Sequence, residues 1–242
     1  FTLPEASDVC GTDDGASTAR RPFRCLTSVD WEGPAFRLAG WRWGLPLLHP
    51  RNTPRRRPRA GRDALAKHLP DLKEKLKPDV TIVNGENAAH GKGITEKICK
   101  SFYELGVDCI TTGNHVWDQR DIMLYIDKDP ALLRPINFPA NTPGNGTFVF
   151  QTDLGQKILI GNLMGRLFMD PLDDPFAAMK KLCGEYRLGQ NINAIFLDFH
   201  GETTSEKTAM ANYLDGQISC LVGTHTHVPT ADHRILPDGT AM

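Results

Sequence analysis

Residues 80–106 read VTIVNGENAAHGKGITEKICKSFYELG and contain the two elements that decide the fold. The segment Val80–Val83 is short and largely β-branched, which is typical of a buried strand. After a glycine-containing loop, the spacing of apolar residues predicts a helix that begins near Thr95 and ends at Gly106. The apolar face of this helix consists of Ile98, Phe102 and Leu105. A strand followed by an amphipathic helix is the repeating unit of α/β proteins.

The same alternation continues in both directions along the chain. Further strands are predicted at residues 107–112, 158–163, 194–199 and 219–223. Further helices are predicted at residues 63–77, 118–127, 174–187 and 204–214, with Asp174 as the cap of the third. This pattern predicts an α/β domain with a largely parallel sheet.

Composition excludes several classes of protein. The chain has 242 residues, of which 40% are hydrophobic and 24% charged, and its net charge is −1, which argues against a general binder of nucleic acids or anionic membranes. No apolar run approaches the roughly 18 to 20 residues that span a bilayer, and no signal peptide is evident at the N-terminus. We therefore expect a cytoplasmic protein with no membrane partner. The six cysteines lack CxxC spacing and are expected to be reduced thiols.

The first 62 residues differ in composition from the rest. They contain eleven Arg and no Lys, and their net charge is +5, against −6 for residues 63–242. Prolines recur too often there for a helix or a central strand. We expect residues 1–58 to form an irregular or disordered segment rich in Arg, Pro and Trp, and residues 59–242 to form the folded domain.

Polar side chains follow four of the predicted strands at the point where each strand ends. Because the carboxyl ends of parallel strands lie along one edge of a sheet, these side chains could form one site. These residues lie in Asn84-Gly-Glu-Asn87, Gly113-Asn-His115, His200 and Gly223-Thr-His-Thr-His227, and they offer three imidazoles, one carboxylate and two Asn carboxamides as candidate metal ligands. Imidazole, carboxylate and amide donors without thiolate suit Mn, Fe or Zn.

A site with two metal ions is the natural use of these donors. Glu86 could bridge ions about 3.5 to 4 Å apart, a separation at which a two-metal site generates a hydroxide that attacks phosphorus. His115, beside Asn114, fits the role of general acid for the leaving group.

Six segments, in this order, resemble the YmdB-like branch of the calcineurin-type metallophosphoesterases, which are bacterial dinuclear enzymes linked to 2′,3′-cyclic-nucleotide hydrolysis. They are Asn84-Gly-Glu-Asn-Ala-Ala-His-Gly-Lys-Gly93, Thr112-Gly-Asn-His-Val-Trp-Asp118, Arg134-Pro-Ile-Asn-Phe-Pro139, Pro171-Leu-Asp-Asp-Pro-Phe176, Asp198-Phe-His200 and Gly223-Thr-His-Thr-His-Val228. The resemblance covers about residues 59–242. It implies a calcineurin-like sandwich of largely parallel sheets with flanking helices, incomplete at both ends.

The resemblance also implies roles for individual residues. Glu86 would bridge two metal ions, iron or manganese, with zinc as a further option. The remaining ligands would be Asn87, Asn114, His200, His225 and His227. His115 would be the proton donor, and His90 and Lys92 would face the substrate. The implied function is hydrolysis of 2′,3′-cyclic nucleotides or related small phosphodiesters, with RNA ends as a further substrate class. Oligomeric state does not follow from the sequence, and a homo-oligomer stays open.

One ligand of the family is missing from the sequence. The family begins with a hydrophobic strand ending in Gly-Asp, whose Asp is a metal ligand, but here Pro54-Arg-Arg-Arg-Pro-Arg-Ala60 precedes Gly61-Arg62-Asp63. Asp30 and Glu32 lie in no comparable context. The codons GAC-GTC-GTC, for Asp-Val-Val, give Arg-Arg-Arg in a shifted register, as at residues 55–57. Our hypothesis is therefore that residues 1 to about 59 are translated out of frame.

The missing strand and ligand lead to three expectations. One metal ion should bind more weakly than the other, a sheet edge should be left unpaired, and stability should be lower than in an intact homologue. Because the family continues with further strands beyond the position equivalent to Met242, we also expect a truncated C-terminus.

Other interpretations stay open at this point. The chain could be a metal-impaired homologue that acts as a binding or regulatory protein, an RNA-binding protein that uses the Arg-rich segment 51–62, or another metallohydrolase such as a deacetylase. A single histidine at a strand end, such as His200, is more often a surface residue than a ligand. The pair His225 and His227 favours a metal site, because alternate residues of one strand would place both rings on the same face.

Overall fold

The computed structural model describes residues 24–29, 37–40, 59–228 and 230–242. The strands in these ranges are β1 (Cys25–Val29), β2 (Arg37–Gly40), β3 (Val80–Asn84), β4 (Cys109–Thr111), β5 (Leu132–Leu133), β6 (Thr147–Gln151), β7 (Lys157–Met164), β8 (Ala194–Gly201) and β9 (Cys220–His225). The α-helices are α1 (Arg59–Leu76), α2 (Glu96–Glu104), α3 (Ile122–Tyr125), α4 (Pro175–Glu185) and α5 (Thr204–Tyr213). None of these described helices is long and apolar enough to cross a membrane.

The strands form two sheets rather than one. The first has the order β2-β1-β3-β4-β5 and is parallel except for the β1–β2 pair. The second has the order β6-β7-β8-β9 and is parallel except for the β6–β7 pair. The single sheet predicted from alternation alone is therefore wrong, whereas the two largely parallel sheets that the resemblance implied are confirmed.

Three apolar cores hold the layers together. Between the sheets, Ile82 and Cys109 pack with Ile160 and Phe196. A second core joins α1, α2 and α3 to the outer face of the first sheet, and a third joins α4 and α5 to the outer face of the second sheet. Both sheets are thus buried on both faces, which explains the continuous apolar runs of their strands. The architecture is a four-layer sandwich of helices, sheet, sheet and helices.

The first sheet continues into the segment predicted to be irregular. Strand β1 lies parallel to β3, and Asp79 ties the two together: its backbone N–H donates to the Arg24 carbonyl oxygen at 2.7 Å, and its carboxylate accepts the Arg24 N–H at 2.8 Å. The prediction of irregular structure is therefore wrong for residues 25–29 and 37–40. The sheet edge that the missing strand was expected to leave unpaired is filled by β1, which pairs with β3. Strands of four or five residues are too short to show periodicity in a proline-rich sequence.

The other residues of 1–58, including Asp30 and Glu32, lie outside the described residues. The division at residue 58 and the out-of-frame hypothesis therefore stay predictions.

Local capping fixes the helix starts at the positions that the sequence indicates. Thr95 accepts the Ile98 N–H, and Asp174 accepts the Phe176 N–H at 2.8 Å just before Pro175. The helix predicted over 118–127 is shorter than expected and begins at Ile122. Tight turns over 115–121 come first, and in them the Asp118 N–H donates to the His115 carbonyl oxygen at 3.1 Å.

Candidate metal centre

Side chains from both sheets meet at the carboxyl ends of β3, β4, β8 and β9. The imidazole Nε2 of His200 lies 2.8 Å from Asn114 Oδ1, 3.0 Å from Glu86 Oε1 and 3.1 Å from His225 Nδ1. His200 and Glu86 are almost completely buried, at 0% and 1% exposed, while Asn114 and His225 are half-buried. The structure thus brings together four of the six predicted metal ligands around one ring nitrogen.

This arrangement has the chemistry of a cation site. A ring nitrogen can donate one proton at most, yet three atoms with lone pairs converge on His200 Nε2. Ligand atoms of Glu86, His200 and His225 all lie within 4.8 Å of one another. A metal ion would satisfy the converging lone pairs that one proton cannot, and the nitrogen and oxygen donors suit Mn, Fe or Zn. The residues therefore fit a transition-metal ion.

The two remaining predicted ligands lie on the other side of the Glu86 carboxylate. Asn87 Nδ2 donates to Glu86 Oε2 at 3.1 Å and lies 3.3 Å from His227 Nε2. One carboxylate oxygen of Glu86 therefore faces His200, and the other faces Asn87. The Glu86 carboxylate therefore lies between His200 on one side and the pair of Asn87 and His227 on the other, as a carboxylate shared by two groups of ligands would.

The backbone at the end of β9 differs from the predicted strand. His225 and His227 have φ angles of 94° and 53°, in the left-handed region that side chains other than glycine rarely adopt. The expectation that both rings share one face of a strand is therefore wrong, because β9 ends at His225. Left-handed backbone at these two residues instead turns the chain where its imidazoles join the cluster, and such strain is often found at functional sites.

A glycine allows the close approach of His200 to the loop after β4. A Cβ atom at Gly113 would lie 2.4 Å from His200 Nε2 and Cε1, which is closer than any real contact. The His200 ring therefore packs directly against the backbone between the two strands. The glycine of the Gly113-Asn114-His115 segment is required by this packing.

Burial and mutual charge set the protonation of the cluster. Burial opposes ionisation of Glu86, but the charge and hydrogen bond of His200, together with the His115 N–H, outweigh it and lower the pKa of the carboxyl group. Burial, followed by the nearby charge of His200, lowers the pKa of His225. An ionised carboxylate and a neutral imidazole are the forms that bind metal ions.

His115 lies at the rim of the cluster. Its backbone N–H donates to Glu86 Oε1 at 3.2 Å, and its Nδ1 lies 2.9 Å from Asp118 Oδ2. The ring is half-buried and held by the Asp118 carboxylate, and its role as proton donor stays a prediction.

The two residues predicted to face the substrate lie on a nearby exposed turn. His90 and Lys92 lie three and five residues after Asn87 in the chain, and both side chains are exposed. Gln119 Nε2 donates to the Lys92 carbonyl oxygen at 2.7 Å, which connects this turn to the segment that carries His115. Their contact with a substrate stays a prediction.

Sequence reasoning assigned no role to several residues that support the cluster. Asp198 is 3% exposed and accepts hydrogen bonds from Thr224, Thr111 and Asn84. Burial raises its pKa, and these three hydrogen bonds oppose that rise. An acidic residue in the apolar run AIFLDFH was the available signal, because buried carboxylates need partners.

The fold and the site define a class: a four-layer α/β sandwich with a candidate metal site at the ends of its central strands, as in metallophosphoesterases. The model of the YmdB-like protein family matches residues 58–242, and the chain belongs to this family. It is 52% identical over 181 residues to a 2′,3′-cyclic-nucleotide 2′-phosphodiesterase of Bacillus subtilis (strain 168), a match that covers 75% of this chain and 67% of that relative.

Two solved structures share the fold. A hypothetical protein from Thermus thermophilus matches with a TM-score of 0.74 and 36% identity over 90% of this chain and 74% of its own. A phosphatase from Mycoplasma pneumoniae matches with a TM-score of 0.72 and 34% identity over 90% of this chain and 69% of its own. The family is thus one of phosphoesterases.

Proposed function

We propose that this chain is a dinuclear metal-dependent phosphodiesterase that hydrolyses 2′,3′-cyclic nucleotides or related small phosphodiesters. The observation that carries the proposal is the convergence of Asn114, Glu86 and His225 on His200 Nε2, at 2.8 to 3.1 Å. The Bacillus relative, whose name states this activity, supports the choice of substrate.

The cluster divides into two ligand groups. His200, His225 and Asn114 would hold one ion, Asn87 and His227 would hold the other, and Glu86 would contribute one oxygen to each. Iron or manganese is the proposed metal. When bound, such ions act as Lewis acids on the phosphate and make a water nucleophile available at neutral pH.

His115 would donate a proton to the leaving group. In hydrolysis of a cyclic phosphodiester, a water molecule loses a proton to solvent as its oxygen forms a bond to phosphorus, and one bond between phosphorus and a ribose oxygen breaks. That ribose oxygen takes up a proton, which His115 would supply from Nε2 because Asp118 engages Nδ1. Asp118 would hold the ring in place, and His90 and Lys92 would contact the substrate from the exposed turn.

The second ion should bind more weakly, because the Gly-Asp ligand of the family is absent before Gly61. The group of Asn87 and His227 offers fewer donors than the group around His200. We therefore expect the site around His200 to fill first.

Metal content and substrate choice test the proposal together. We would measure transition metals per chain by elemental analysis in wild type and His200→Ala. We would also measure the hydrolysis of 2′,3′-cyclic AMP and of 3′,5′-cyclic AMP by both proteins. The proposal predicts bound metal and turnover of the 2′,3′-cyclic substrate, both lost in His200→Ala.

Two outcomes would contradict the proposal. Equal metal content in wild type and His200→Ala would show that the cluster around His200 does not bind the metal. Metal without turnover of any phosphodiester would favour a binding or regulatory protein.

A further inference from the structure

A buried hydrogen-bond network lies behind His200, on the side away from the candidate metal. Thr224 Oγ1 lies 2.9 Å from His200 Nδ1 and 2.7 Å from Asp198 Oδ1. Thr111 Oγ1 and Asn84 Nδ2 contact the other oxygen of Asp198. All five of these side chains are buried. Residues of β3, β4, β8 and β9 are therefore joined through one carboxylate.

The direction of each hydrogen bond in this network can be assigned. The Asn84 amide is oriented by its oxygen, which accepts the Glu86 N–H at 3.1 Å, so that its NH₂ group is the one that donates to Asp198. Asp198 as a carboxylate has no proton to donate, so it accepts from Asn84 and Thr111 on Oδ2 and from Thr224 on Oδ1.

The orientation of Thr224 then fixes the proton on His200. A threonine hydroxyl has one proton, and Thr224 donates it to Asp198. Its oxygen can therefore only accept from His200, whose Nδ1 must carry the proton. In a neutral imidazole this leaves a lone pair on Nε2, the atom that faces Glu86, Asn114 and His225.

We propose that Thr224 is a positioning residue that, oriented by Asp198, holds His200 in the tautomer with the proton on Nδ1 and so presents the Nε2 lone pair to the metal ion. This inference rests on the proposed function, because it requires His200 to be a ligand. Metal-binding histidines commonly donate their second N–H to a carboxylate or carbonyl oxygen. Here a hydroxyl oriented by a carboxylate takes that place.

Three substitutions separate this role from a merely structural one. Thr224→Val removes the hydroxyl at nearly constant shape, and Thr224→Ser restores it. Thr111→Val is the matched control, because it removes another buried threonine hydroxyl from Asp198 but not the contact to His200. If the effect on metal affinity came from lost packing or from a lost donor to Asp198, both valine variants would show it. If it came from loss of the Nδ1-protonated tautomer of His200, only Thr224→Val would show it.

The first measurement is the affinity of the metal-free full chain for Zn²⁺ alone, by competition with a chromophoric chelator. We expect Thr224→Val to bind Zn²⁺ about 10- to 100-fold more weakly than wild type, and Thr224→Ser and Thr111→Val to stay within about threefold. Equal weakening in both valine variants, or no weakening in Thr224→Val, would overturn the inference.

The second measurement needs no variant and therefore does not depend on whether Thr224→Val folds. In the Zn²⁺-loaded wild type, ¹H–¹⁵N NMR of the histidine rings should show a slowly exchanging proton on Nδ1 of His200. A proton on Nε2 would overturn the inference. His200→Ala distinguishes the two proposals: unchanged Zn²⁺ affinity there would refute the metal site itself, whereas weakened affinity there with normal binding in Thr224→Val would refute only the role of Thr224.

Discussion

Substitution of Gly113 by alanine should displace His200 and weaken metal binding. The added Cβ would lie 2.4 Å from Nε2 and Cε1 and 2.5 Å from Cδ2 of the ring. Because non-bonded carbon atoms pack at about 3.5 to 4.0 Å, the ring must move by about 1 Å. Metal sites tolerate deviations of only about 0.2 Å in ligand distance, so we expect Zn²⁺ affinity to fall by more than about tenfold.

The same substitution should also destabilise the metal-free chain. Overpacking a buried site destabilises by about 1 to 3 kcal/mol, which for a protein of this size lowers Tm by about 2 to 12 °C. Gly113 does not have a positive φ, so the effect is steric rather than conformational.

Gly184→Ala is the matched control for Gly113→Ala. Gly184 lies within α4, and a Cβ atom there meets nothing within 4 Å, so alanine should be neutral or stabilising by up to about 1 kcal/mol. The assays are scanning calorimetry of the metal-free chain and chelator competition for Zn²⁺. If Gly113→Ala retained both the Tm and the Zn²⁺ affinity of wild type, the close approach of His200 to the backbone would be refuted.

Two further predictions concern the acid and the proton donor of the cluster. The folded pKa of Glu86 lies below its ordinary value of 4.5, so its ionised form stabilises the fold above that pH, and this contribution is lost as the pH falls through the folded pKa. The free energy of unfolding of the metal-free chain, measured with denaturant, should therefore fall less on acidification in Glu86→Gln than in wild type. An identical pH dependence in the two proteins would contradict this prediction. His115→Ala should lower kcat by about 10²- to 10⁴-fold with little change in Zn²⁺ affinity. Asp118→Asn should lower kcat less than His115→Ala does. If either variant changed Zn²⁺ affinity more than kcat, the result would show that His115 and Asp118 bind the metal instead.

The elements nearest the site were predictable because their patterns are local. The β-branched run before Asn84 and the apolar spacing of α2 gave a strand and a helix, and the structure has both. The division into two sheets was not predictable from alternation. In β8, Phe196 faces the core between the sheets, while Leu197 faces the helices. A strand that is buried on both faces has the same continuous apolar sequence whether the fold contains one sheet or two.

The candidate site was predictable as a set of residue types, but not its supporting contacts. His200, His225 and Glu86 follow predicted strands, and the structure brings them together. The bond from Thr224 to Asp198 joins residues on neighbouring strands, and no periodicity in the sequence encodes which side chain a hydroxyl will face. The helix predicted from residue 118 begins only at Ile122, because turns occupy residues 118–121.

The candidate ligands come from both halves of the sandwich, Glu86 and Asn114 from the loops of the first sheet, and His200 and His225 from the second. An ion bound between them would act as a cross-link between the two sheets. Its binding free energy would add to the folding free energy, by about 2.7 kcal/mol when free metal exceeds Kd a hundredfold. A chain whose sheets have not docked would have no complete site. Metal occupancy in this protein would therefore report that the two halves have assembled.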